Sequence, residues 1–125
     1  MTIAYTCMLI AVVMPYIWIA LAKATIRYNN HAPRVQEDKL EGWRARAHWA
    51  HLNSFEAMPG FLAGVLLAAH VGVPADTVNT LAIVFTVARV AYGLCYLKDL
   101  AALRSIVWFV GLGSVIALFV KAIQH

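Results

Sequence analysis

Charge is what this 125-residue chain has least of. Charged residues make up 13% of it and the hydrophobic set 62%, whereas a soluble domain carries about 25% charged. So apolar a chain cannot coat itself with polar groups, and the mean hydropathy of +0.72 agrees. A soluble globular domain and a disordered chain are both excluded, leaving a membrane protein. Only two cysteines, Cys7 and Cys95, are present, so there is no disulfide framework and no cysteine cluster with metal-ligand spacing. The chain also lacks a Gly-rich phosphate loop, a Ser–His–Asp set, a haem motif, internal repeats and low-complexity stretches. Its length suits one domain and is too short for two.

Long apolar runs take the place of what is missing. A helix needs about 20 apolar residues to cross a bilayer. Thr2 to Ala22 and Ser105 to Val120 carry no charge, Ala57 to Ala75 only His70 as an ionisable group, and Thr77 to Leu97 only Arg89. The pattern predicts four spans, at about 2–22, 44–70, 76–97 and 104–123, in a single all-α four-transmembrane-helix bundle, because open sheets cannot satisfy their backbone in lipid. The first span is expected to be retained: Ala20-Leu21-Ala22 resembles a signal-cleavage site, but no Lys or Arg precedes the run. Cys7 and Cys95 sit inside spans at depths about 20 Å apart, too far to bridge within one subunit.

Charge sets the orientation. Lys23, Arg27, Arg34, Lys39, Arg44 and Arg46 outweigh Glu37, Asp38 and Glu41 by a net +3 in the first connection. The Lys98–Arg104 connection adds a net +1, and on the other side Asp76 and Lys121 cancel. The positive-inside bias puts both basic connections in the cytoplasm and both termini outside, which fits a bacterial inner membrane. Topology thus explains the pI of about 9.3, and no nucleic-acid partner is required. The first connection, broken by Asn29, Asn30 and Pro33, reads as an ordered loop with a mobile centre. Asp76 or Thr77 is the expected cap of the third span.

Polar residues inside the spans carry the functional signal. Glu56 and Arg89 are the charges deep within them, each costing about 2.5–3.5 kcal/mol if it faced hydrocarbon. Counted along the helices, both lie about 13–15 Å deep, which predicts a pair. Asn53 and Tyr92 match at about 10 Å, with Trp49 and Tyr96 nearer the surface. Arg46, Trp49, Asn53 and Glu56 share one helix face, and Arg89, Tyr92 and Tyr96 another. The two stripes serve either as interhelical glue or as the walls of a polar cleft for an anionic or zwitterionic ligand.

A family resemblance rests on these same residues. The second span, Arg46-Ala-His48-Trp-Ala-His51-Leu-Asn53-Ser-Phe-Glu56-Ala-Met-Pro59, resembles that of the membrane-associated proteins in eicosanoid and glutathione metabolism, the MAPEG family. The segment Ala88-Arg89-Val-Ala-Tyr92-Gly-Leu-Cys-Tyr96 resembles the family's third span, and Leu103-Arg104-Ser105 the start of its fourth. The resemblance implies a homotrimer that binds glutathione as co-substrate between neighbouring subunits and acts on a lipophilic substrate. By position it implies glutathione contacts from Arg46, Asn53, Glu56, Arg89, Tyr92 and Tyr96, more loosely from Arg27, and thiol activation by Arg104 or Ser105. One position departs from the pattern: Trp49 stands where many members carry an arginine, and an indole cannot replace a bidentate guanidinium.

Other features read more plainly. His51 lies beside the ladder and is a candidate pocket residue, while His48 is expected to face the headgroups. Their spacing lacks the further ligands a metal needs, so no metal site is expected. Pro59 and Pro15 should bend their helices. The expected function is a glutathione-dependent transferase or peroxidase, with thiolate formation helped by a nearby guanidinium. The alternatives are a non-catalytic lipid-binding or scaffold relative and a small proton-coupled exporter.

Overall fold

The computed structural model describes residues 1–24, 26–27 and 30–125. Asn29, one of the polar breaks in the first connection, lies outside them. Five helices follow one another: α1 (Thr2–Lys23), α2 (Pro33–Asp38), α3 (Gly42–Val71), α4 (Ala75–Leu97) and α5 (Ala101–Gln124). Four of these, α1, α3, α4 and α5, are long and apolar enough to cross a bilayer. The protein is an all-α bundle of four such helices. At 30 residues α3 is about 45 Å long and outreaches the roughly 30 Å hydrocarbon core.

The helices α3 and α4 form the middle of the bundle. Both α1 and α5 pack against that pair, and among the described residues α1 and α5 do not meet. Outward faces are apolar: Leu9 is 63% exposed, Phe109 65% and Ile123 79%. In water such a surface would aggregate; in lipid it is solvated. Inside, small residues let the helices approach. Ala4, Ala11, Ala68, Ala82 and Ala122 line one core around the stacked rings of Phe61 and Phe85, whose centroids are 3.9 Å apart. A smaller core of Met14, Trp18 and Ala50 lies toward the connections. At Gly93 the approach is extreme: an added Cβ would fall 2.1 Å from Cζ2 of Trp18.

Helix ends are tied off by other helices. Asn79 Oδ1 accepts from the Ala4 amide at 3.0 Å, satisfying a donor at the start of α1. Arg44 donates to the carbonyls of Ala22 and Ala24 at the end of α1, and Arg46 Nη2 to that of Leu97 at 3.2 Å, closing α4. Such contacts also complement the helix dipoles. Gly72, at φ 90°, ends α3 in a left-handed turn, with the Val73 amide reaching back to the Ala68 carbonyl at 2.9 Å. Asp99, at φ 58°, performs the same turn after α4 without being glycine.

Three expectations are corrected by this fold. The first connection contains a helix, α2, opened by Pro33 at its first turn, where the missing N–H costs nothing. Pro74, not Asp76 or Thr77, occupies the cap position of α4, and no side chain caps it. His48 does not face the headgroups: it is 5% exposed. Helix α2 touches α3 and brings Glu37 Oε2 to 3.9 Å from His48 Nδ1. Glu37 itself is held by Lys23 at 3.2 Å and Arg34 at 3.7 Å. Both α1 and α3 continue through their prolines.

Candidate functional site

The polar stripes of α3 and α4 meet and form one continuous ladder, completed at its top by α5. Arg104 sets its guanidinium carbon 4.3 Å above the ring of Tyr96. Tyr96 meets Tyr92 edge to face at 5.5 Å. Arg89 lies over the other end, its guanidinium carbon 4.3 Å from the Tyr92 ring centroid. Arg89 Nη2 then donates to Asn53 Oδ1 at 2.7 Å, and Asn53 Nδ2 donates to Glu56 Oε2 at 3.1 Å. The spacing explains the continuity: residues three and four apart share a helix face, so each rung lies about one turn below the last.

The expected direct pair between Glu56 and Arg89 is not made. Among the described residues Glu56 forms no ion pair, and Asn53 stands between the two charges. Asn53 precedes Glu56 by one turn on the same face, and its amide offers an acceptor to one partner and a donor to the other. Arg89 is 3% exposed, so in a low dielectric it depends on that acceptor and on the Tyr92 ring. Glu56 is exposed on the outer side.

The remaining candidates divide. Trp49 rests beside Tyr96, with ring centroids 6.2 Å apart, at the upper end of the ladder. Arg46 borders that end, but one of its η nitrogens serves the Leu97 carbonyl, and its Nε is buried without a partner. Ser105 is exposed on the first turn of α5, next to Arg104. His51 turns away: its Nδ1 lies 2.8 Å from the Pro15 carbonyl, tying α3 to α1, as a satisfied core histidine does. Arg27 is exposed in the first connection and takes part in none of the ladder's contacts.

Below the ladder, a cavity of about 210 Å³ opens between α3, α4 and α5. Asn53, Glu56 and Arg89 form its polar side, and Phe85 and Trp108 belong to its apolar side. Sequence reasoning missed the α5 wall. Nothing marks Trp108 or Leu112 in the sequence, because an apolar cavity wall and a lipid-facing surface use the same residues.

A four-helix membrane bundle with a buried arginine–asparagine–glutamate relay defines the structural class. The MAPEG family's sequence model matches residues 3–124, nearly the whole chain. The chain belongs to the MAPEG family, and so to the membrane proteins of glutathione and eicosanoid metabolism. No curated protein and no solved structure matches it.

Proposed function

We propose that the protein is an integral membrane glutathione-dependent transferase or peroxidase acting on lipophilic electrophiles or hydroperoxides. The observation that carries this reading is the ladder from Arg104 to Glu56, which offers cations, amide groups and a carboxylate in one row. Glutathione carries two carboxylates, an ammonium and two amides, and its charges complement that row. Arg89, Asn53, Glu56, Tyr92 and Tyr96 would hold the peptide, with Arg46 at the rim.

Arg104 would activate the thiol. A free thiol with a pKa near 8.5 is mostly protonated at neutral pH, and an adjacent guanidinium favours the thiolate. Arg104 makes no ion pair among the described residues, so its charge is not spent on a carboxylate. Ser105 would donate a hydrogen bond to the same sulfur. In the transferase reaction the sulfur bonds to the electrophilic carbon and the leaving group departs with its electron pair. In the peroxidase reaction the sulfur takes the distal peroxide oxygen and the alkoxide leaves to be protonated. A second glutathione then closes the disulfide and releases water.

A homotrimer belongs to this reading. Glu56 is exposed in mid-span, where a carboxylate facing hydrocarbon costs about 2.5–3.5 kcal/mol, and a neighbouring subunit or bound peptide would cover it. The positive-inside bias places the ladder's upper end and both basic connections in the cytoplasm, of a bacterial inner membrane in this reading. Purified protein in nanodiscs should turn over 1-chloro-2,4-dinitrobenzene or cumene hydroperoxide with saturable dependence on glutathione. Absence of both activities would remove the catalytic reading.

A second reading is a non-catalytic, lipid-binding relative. It is favoured by Trp49 lying against Tyr96 and by Arg44 and Arg46 serving helix ends. It predicts that Arg104→Ala and Tyr96→Phe leave function intact, whereas an enzyme loses rate with at least one of them.

A further inference from the structure

The cavity beneath the ladder is larger and more apolar than peptide binding requires. It exists because facing residues are small: Ala57 and Gly60 on α3 stand opposite Gly111 on α5. Close packing does not demand those glycines. A Cβ at Gly60 would come no nearer than 3.5 Å to Val115 Cγ1, and one at Gly111 no nearer than 3.6 Å to Arg89 Cδ. Both are ordinary contacts, in contrast to the 2.1 Å clash at Gly93. The helices are therefore not drawn together at this level, and the omitted side chains leave space.

The wall limits what fills that space. An apolar cavity of about 150 Å³ takes up benzene, so about 210 Å³ admits one ring with a short substituent. Phe85 and Trp108 offer ring partners, and Leu112 closes the lipid side. A guanidinium carries five N–H donors, and one η nitrogen of Arg89 serves Asn53, leaving others for a ligand acceptor. Arg89 and Glu56 already balance through Asn53, so a charged occupant would leave one charge uncompensated in a medium that penalises it. We propose that this cavity binds a compact, uncharged aromatic lipophile bearing one hydrogen-bond acceptor, with the ring between Phe85 and Trp108 and the acceptor on Arg89.

The site does not depend on glutathione, so the failure of either proposal leaves the other standing. The test is fluorine NMR titration of 4-fluoroacetophenone into the full-length protein in phosphatidylcholine nanodiscs, with empty nanodiscs as the partition control. Wild type should show one saturable site per chain. Ala57→Phe and Leu112→Trp, which fill the cavity from opposite walls, should each weaken binding at least about tenfold. Leu112 is 40% exposed, so its replacement spares the fold. 1-Ethyl-4-fluorobenzene, which lacks the acceptor, should bind wild type about tenfold more weakly. Non-saturable partition alone, or unchanged affinity in both filled variants, would overturn the site. Equal affinity for the two probes would overturn the part assigned to Arg89.

Discussion

Replacing Asn53 by alanine removes the one side chain that touches both charges of the ladder. The two charges should respond unequally. Arg89 is 3% exposed and loses a 2.7 Å charge-assisted hydrogen bond, leaving a buried cation with only the Tyr92 ring beside it. Hydrogen bonds to charged groups contribute about 1.5–3 kcal/mol, and stranding a buried charge costs about 3–5 kcal/mol. The expected loss for Asn53→Ala is therefore about 2–4 kcal/mol. Glu56→Gln should cost under about 1 kcal/mol, because Glu56 is exposed and a glutamine oxygen still accepts from Asn53 Nδ2 at its 3.1 Å position. Both variants are to be unfolded reversibly in mixed micelles of dodecyl maltoside and dodecyl sulfate, with helicity as the readout. Equal losses, or a silent Asn53→Ala, would refute the relay through the amide.

Two further predictions concern the frame that holds the ladder. Gly93→Ala should destabilise by about 1–3 kcal/mol or more in the same assay, since its methyl would strike the buried Trp18 indole at 2.1 Å. Adding Trp18→Leu should restore most of that loss; a tolerated Gly93→Ala would show that α1 and α4 are further apart. Asp99→Gly should stabilise by about 0.5–1 kcal/mol, because Asp99 holds a left-handed φ of 58° at the end of α4. A destabilised variant would mean that the aspartate side chain matters more than its backbone.

Much of this architecture is legible in the order of the residues. The four spans are legible because an uninterrupted apolar run of about 20 residues suits a membrane helix and little else. The two stripes are legible because polar residues are scarce in the spans and recur at helical spacing. Helix arithmetic brings Trp49 level with Tyr96, and the rings lie 6.2 Å apart. It cannot choose the partner of Arg89, because depth along a helix fixes the turn and not which of two neighbouring side chains reaches across. Asn53, being a turn nearer, takes that place.

Elsewhere the sequence is silent for physical reasons of a different kind. His48 looks like a headgroup residue because a polar connection suggests solvent, yet the return of α2 covers it with Glu37. His51 looks like part of the pocket because its neighbours on the helix are, but its Nδ1 faces Pro15. The cavity wall on α5 leaves no trace, since Trp108 and Leu112 differ in no chemical respect from residues facing lipid.

The most direct measurement is calorimetric titration of glutathione into the purified oligomer, with Arg89→Ala alongside. A saturable heat in the wild type that vanishes in the variant is the predicted result. No binding to the wild type, or undiminished binding to Arg89→Ala, would contradict the assignment of the ladder to this peptide.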